Sequence, residues 1–224
     1  SESRTSYFHK SIGGYHPAKL RIYQDIIERY FSRATNPGVL NMLNTRYLIT
    51  QSPFSGADTM IKREEAFGPC WLVSNVKVVE DRVAAINALG STNLRDTAVV
   101  VKESATGLVQ PQRDSLATIS MTKFDNDAIE YDVNGSGPQF AVFSEIYYPK
   151  GWNAYVDGKK TDYLNVNYVL RGISVPAGKH SIKFVFEPES VQQGRSIMFI
   201  ASMLIAVIFL GGLFMAWKES RKAS

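Results

Sequence analysis

The chain has 224 residues, 45% of them hydrophobic and 21% charged, an ordinary globular composition apart from where the apolar residues lie. Its formal charge is only +4, and the tail cations Lys218, Arg221 and Lys222 against Glu219 supply half of that excess, which excludes a phosphate-binding footprint for nucleic acid. With Cys70 as the single cysteine, an intrachain disulfide and a Cys-rich zinc site are excluded, and its setting GPCWLV is that of a small buried hydrophobe.

The opening residues SESRTSYFHK hold neither a Met nor an apolar signal core, so further residues are expected upstream, as a signal peptide or as more membrane spans. His16 and Pro17 are placed to open a helix whose Leu20, Tyr23, Ile27, Tyr30 and Phe31 share one face. Asn36-Pro37 starts a short second helix carrying Leu40 and Leu43, and Arg46 to Thr50 (RYLIT) reads as a strand. Cys70 to Val79 (CWLVSNVKVV) reads as the next strand. Asp81 then caps a helix containing Val83, Ile86 and Leu89 that stops at Gly90, and Ala98 to Val101 is a short buried strand. Strand, helix, strand in that order predicts a small α/β layer within residues 1–112.

Past Gly107 the apolar period changes to two. Ile129, Tyr131 and Val133 point one way and Glu130, Asp132 and Asn134 the other, up to the turn NGSGP. Phe140 to Glu145 follows as a strand, and Trp152, Ala154 and Val156 alternate up to Asp157-Gly158, a hairpin pair that tolerates positive φ. Val169 to Val175 precedes the turn PAG, after which His180, Ile182, Phe184 and Phe186 share a face. Short strands at this spacing predict a β-sandwich over residues 113–190. VQQGR then leaves little slack before the next element, so the sandwich is expected close to a lipid surface.

That element is the run Ile197 to Trp217, which has no charge. At 1.5 Å per residue it is about 31 Å long, against a hydrocarbon core of about 30 Å, and a transmembrane helix is expected over residues 195–218. The tail 219–224 with its adjoining cations is expected on the cytoplasmic side and the bulk of the chain outside, because only Arg195 and Lys183 stand near the other end. The fold class is therefore α+β: a small α/β layer, an antiparallel β-sandwich, and one C-terminal transmembrane helix.

The histidines are His9, His16 and His180, and none forms HExxH or an i, i+4 pair, so no metal is expected. Without GxSxG, P-loop or GxGxxG, no nucleophile or cofactor motif is present. SIGGYH, with its Gly pair, reads as a turn before a helix in preference to an anion cradle. His180, alternating with apolar residues, reads as a hydrogen-bonded sandwich histidine. Tyr147, Tyr148, Trp152, Tyr155, Tyr163 and Tyr168 lie close in sequence to Glu145, Asp157, Asn167 and Arg171. Rings beside amides and carboxylates suit sugar recognition; equally, they suit a sandwich core with Arg171 paired to Glu145 inside it.

In FSEIYYPKGW at Phe143 to Trp152, YVDGK at Tyr155 to Lys159, NYVLRGISVPAGKH at Asn167 to His180 and FEP at Phe186 to Pro188, the chain resembles the YfhO family of bacterial membrane proteins. SYFHKSIGGYHPAKLRIYQD, VLNMLNTRYLI and AFGPCWLV extend the resemblance upstream, with Arg171-Gly172 standing where the family has Arg-Ala. The resemblance implies the last portion of a polytopic glycosyltransferase of the cell envelope that takes sugar from a polyprenyl-phosphate carrier at the outer face of the cytoplasmic membrane. The family's acceptor-assisting carboxylates belong to early membrane loops, so no catalytic residue is expected here and this portion alone is not expected to catalyse. It would bind acceptor or glycan, or act as a lid, with the bilayer and upstream membrane helices of the same protein as partners. Tyr7, His9, Lys10, Tyr15, His16 and Lys19 are the candidates to face the membrane-embedded site, and Glu145, Trp152, Tyr155, Asn167 and Arg171 the candidates in the sandwich. The competing readings are a non-catalytic, membrane-anchored module that binds glycan or stabilises a partner, and a single-pass receptor.

Overall fold

The computed structural model describes residues 9–13, 19–32, 35–52 and 56–221. Helix α1 (Arg21–Tyr30) buries Ile26 and Tyr30. Helix α2 (Pro37–Met42) has Pro at its first position, and the Asn36 side chain accepts from Val39 N, a cap that satisfies one orphan amide. Two strands, β1 (Tyr47–Gln51) and β2 (Asp58–Lys62), pair only with each other as an antiparallel ribbon.

β3 (Cys70–Val73) and β4 (Asn75–Val79) replace the single strand expected there. The break is at Ser74, where Ser74 N and Asn75 N both donate to Asp96 O at 2.9 and 3.1 Å. Helix α3 (Arg82–Ala88) is capped by Asp81, which accepts from Ala84 N, and leads to β5 (Thr97–Val101), parallel to β4. This is the expected strand, helix, strand unit. Its helix turns Ala85, Ala88 and Leu89 inward and leaves Val83 in solvent, a face shifted from the one the apolar spacing indicated.

The remaining strands are β6 (Thr118–Phe124), β7 (Ala128–Gly135), β8 (Gln139–Ile146), β9 (Trp152–Val156), β10 (Lys159–Thr161), β11 (Leu164–Val166), β12 (Leu170–Val175) and β13 (Gly178–Phe186). One sheet has the order β10-β9-β13-β7-β6 and the other β3-β8-β12-β11-β5-β4. β3 and β4, consecutive in sequence, are the two edges of the second sheet, so that sheet is rolled until its edges meet at Ser74. All pairings are antiparallel except β4 with β5.

The six-stranded sheet joins strands from both sides of residue 112. Across the boundary expected between residues 112 and 113, β3 is zipped to β8 and β5 touches β11 through Val100 and Val166. The physical reason lies in β8, whose successive side chains serve two cores. Phe140 and Val142 pack with the three short helices, while Ala141 and Phe143 pack with the five-stranded sheet. The result is three layers, helices on a sheet on a sheet.

Two turns hold this arrangement. Asp157 and Gly158 both have positive φ (51° and 78°) between β9 and β10, as the sequence anticipates. His180 Nδ1 lies 2.6 Å from Asp157 Oδ2, and Ser181 N donates to Asp157 Oδ1. The hydrogen bond to the Asp157 carboxylate pushes the His180 pKa up, while His180 and the Ser181 amide push the Asp157 pKa down. At the second turn Asn167 and Tyr168 are left-handed, with φ of 47° and 69°.

Helix α4 (Glu189–Ser220) begins two residues after β13 ends. VQQGR is thus part of the helix, starting earlier than the span expected at 195. The segment Glu189–Met215 is long and apolar enough to cross a membrane, and none of its most apolar window is buried inside the protein.

Gly172 sits where an added Cβ would lie 2.6 Å from Val166 Cγ1 and 2.8 Å from Phe140 Cε1. Gly172→Ala is expected to lower stability by about 1–3 kcal/mol, through overpacking of the core on the helix side of the sheet, read as a drop in the midpoint of thermal unfolding. In the Asp157–His180 pair, the histidine contribution is complete below its ordinary pKa and is lost as pH rises through its raised folded value. The aspartate contribution is lost as pH falls through its depressed one. The pair is thus most stabilising between the two ranges, and Asp157→Asn is expected to return the His180 titration, followed by NMR, toward the ordinary histidine value.

Candidate functional site

The end of the sandwich from which α4 departs gathers rings and charges. Strand β13 finishes at Phe186, whose N donates to Asp127 O between β6 and β7, and Glu187 N donates to Gly151 O just before β9. Trp152, opposite Phe186 in the register, packs its ring 5.4 Å from the Phe186 ring. Behind Trp152 lies Arg171, 2% exposed, with its guanidinium carbon 4.3 Å from the Trp152 ring centre and 5.2 Å from that of Phe184. A cation between two rings is attracted to their π faces.

Arg171 Nε donates to Ile146 O at 3.1 Å. Its Nη1 is buried without a hydrogen-bond partner, as is Tyr131 Oη nearby. Tyr131 is fully buried against Phe143 and Phe184, with ring centres at 4.6 and 6.3 Å. Tyr163 packs edge-on to both Tyr147 and Phe184 at 5.4 Å and donates weakly toward Tyr148 O and Trp152 O.

Glu145 is half-buried on β8. Among the described residues it closes no ion pair with Arg171, so the expected buried pair is replaced by a looser interaction through space. Burial pushes the Glu145 carboxyl up, opposed by the Arg171 and Lys10 charges. Burial also pulls Arg171 down, opposed by Glu145, Tyr163 and Tyr131. The Tyr131 hydroxyl is raised above its usual value by burial first and the Glu145 charge second, and burial pushes Tyr163 up to about 12. Desolvation thus favours the neutral form of every acid in the cluster.

Of the sequence candidates, Glu145, Trp152 and Arg171 are brought together, and Lys10 stands near them with its Nζ 3.1 Å from the Phe124 ring centre. His9 is exposed and Lys19 half-buried at the start of α1. Tyr7, Tyr15 and His16 lie outside the described residues. Tyr155 is not in the cluster: it points to the outer face of the five-stranded sheet, where its hydroxyl and Asn153 Nδ2 both donate to Glu187 Oε2 at 2.9 and 3.0 Å. Alternation along β9 puts it opposite Trp152 and Ala154.

Asn167 also lies elsewhere. It is fully buried, its Oδ1 accepts from Val99 N and its N donates to Val99 O, both at 2.8 Å. Asn is one of the few side chains at ease with positive φ, and here it splices β5 to the turn before β12. Tyr131, Phe184 and Phe186 are members of the cluster that the site reading missed. Alternation marks them as core, and nothing in the pattern reveals that Tyr131 Oη lacks a partner.

A second hollow of about 340 Å³ opens at the opposite end of the sandwich, between β3 and the start of β6, bordered by Arg95, Gln112, Arg113, Asp114 and Gln139. Asp114 is committed to Ser136 N and Oγ and to Leu116 N. Among the described residues, no group of three or more His, Cys, Asp or Glu side chains is placed to hold a metal.

These features define a class: a β-rich domain carried on an apolar helix that rises from beside its ring-lined end, a membrane protein by construction. Residues 91–198 match the model of the family described as bacterial membrane protein YfhO. That stretch runs from just after α3 through β5 to β13 and into α4, leaving out β3 and β4. No curated protein matches the chain.

Glu145 supplies a test of the electrostatics. Its folded pKa lies above the ordinary carboxylate value, so the folded state binds more protons across that window and stability falls as pH rises through it. Glu145→Gln is expected to raise the unfolding midpoint at neutral pH and to leave it unchanged below the ordinary glutamate range. Equal effects of the substitution at both pH values would contradict the burial of this carboxylate.

Proposed function

We propose that this chain is the extracytoplasmic C-terminal part of a polytopic, YfhO-like glycosyltransferase of the cytoplasmic membrane, which takes sugar from a polyprenyl-phosphate carrier for the cell envelope. In this reading the sandwich binds the acceptor or glycan and covers a reaction centre formed by membrane helices elsewhere in the protein. The observation that carries the proposal is the position of the Trp152 cluster, at the root of the apolar helix. A lipid-linked sugar has its glycosidic phosphate at the headgroup level, and a ring presented there can stack on a pyranose face. Trp152 is half-buried, with the Arg171 guanidinium 4.3 Å from its ring centre, and in this reading its solvent-exposed part meets the sugar. Arg171, at 2% exposure, orients Trp152 and does not itself reach a ligand.

Lys10 and Glu145 add a cation suited to phosphate and a carboxyl able to hydrogen-bond hydroxyls beside that ring. The outward placement is supported by Lys218 and Arg221 beyond the apolar segment, against Arg195 before it.

The test is transfer from a polyprenyl-phosphate sugar, assayed with the full-length protein in membranes. Trp152→Ala is expected to lower transfer by roughly tenfold, in line with a stacking contribution of about 1.4 kcal/mol, while Trp152→Phe keeps most of it. Failure of the intact protein to transfer from any such carrier would refute the enzymatic reading. Equal activity of Trp152→Ala and wild type would remove the sandwich from substrate binding.

A further inference from the structure

The β1–β2 ribbon has no layer to pack on. Ile49 is opposite Met60 and Tyr47 opposite Lys62 in its register, and Tyr47, Ile49 and Met60, which share one face, are 51, 59 and 65% exposed. A two-stranded ribbon is marginal alone, and with Ile61 also 49% exposed on its other face this one carries apolar side chains that no layer of the described structure covers.

We infer that the β1–β2 ribbon is a second membrane contact, reaching into the headgroup region of the bilayer that α4 crosses, with Tyr47, Ile49 and Met60 against the lipid. Three observations select lipid as the occupant. The first is position. The ribbon closes through Arg63 N donating to Arg46 O, and its root is tied to the core by Ser144 Oγ, which bonds both Met42 O and Gly68 O at 2.7 and 2.9 Å. Ser144 immediately precedes Glu145, so the ribbon springs from the end of the sandwich that holds the root of α4.

The second is reach. Residues 189–196 precede the uncharged run of α4 and form about 12 Å of helix, whereas a five-residue strand spans about 17 Å. The ribbon is therefore long enough to bridge the gap between sandwich and bilayer. The third is chemistry and size. Exposed Arg46 at the root matches anionic headgroups, whereas Lys62 is paired with Glu64 and Arg63 donates to Asn41 Oδ1; Tyr47 is a residue type favoured at that depth. The face measures only about 17 by 10 Å from strand length and spacing, far below the ~800 Å² per partner of a stable protein interface. The inference needs α4 in a membrane and is independent of the sugar chemistry proposed above. The ribbon also lies outside the YfhO family match at 91–198.

The full chain, inserted in vesicles of phosphatidylcholine and phosphatidylglycerol, can carry a nitroxide at Ile49→Cys, Met60→Cys or Leu116→Cys. Native Cys70 remains, since it is buried and its thiol is pushed up to about 12 by that burial. Leu116, 84% exposed at the opposite end of the sandwich, is the aqueous reference. Labels at 49 and 60 are expected to collide readily with oxygen and poorly with a water-soluble nickel chelate, and the label at 116 the reverse. Nickel access at 49 and 60 equal to that at 116 would overturn the inference. So would shielding from both agents, which would mean protein cover. Neither result bears on transfer activity, so the two proposals fail separately.

Discussion

Strand β8 is buried on both faces, and the rest of the architecture follows from that constraint. Phe140, Ala141, Val142 and Phe143 are all fully buried in succession, which a strand achieves only when each side of its sheet is covered. One side is closed by the short helices and the other by the five-stranded sheet. Neither cover could be removed without exposing an aromatic ring of β8. Gly172, on the neighbouring strand β12, is the complement of this crowding: the absence of a side chain there lets the Phe140 ring and Val166 approach.

The same economy of space explains the charged cluster. Arg171 follows directly from Leu170 on a strand paired to β8, and a register irregularity lies between them. Its side chain consequently enters a space walled by rings in place of a partner carboxylate. A guanidinium is more weakly hydrated than an ammonium and stacks on aromatic faces, which is why arginine can be held there. The orphan Nη1 and the orphan Tyr131 Oη are the residual cost, and Glu145 and Lys10 at the rim set the local field.

Much of this was legible in the sequence wherever a local rule sufficed. The helix start at Asn36-Pro37 and the cap at Asp81, the Asp157-Gly158 turn, the alternations in β7, β9 and β13 and the apolar helix each rest on neighbours in the chain. What was not legible depends on distant partners. CWLVSNVKVV reads as one strand because no residue within it signals that Ser74 carries the chain from one sheet edge to the other; Asp96, some twenty residues on, supplies that signal. Asn167 looked like a polar site residue because its backbone partner, Val99, belongs to a strand far away in sequence. In the cluster, Trp152 and Glu145 were found through composition, while the depth of Arg171 could be known only once Phe184 and Trp152 were seen to enclose it.

The junction between β13 and α4 contains only Glu187 and Pro188. Glu187 is fastened by Tyr155, Asn153 and Gly151, and proline has a fixed φ. Such a joint transmits torque. A change in tilt of the helix, imposed by bilayer thickness or by neighbouring spans, is passed to the strand that bears Phe186 and so to the orientation of Trp152, making the lipid environment a mechanical input to the ring-lined end of the domain.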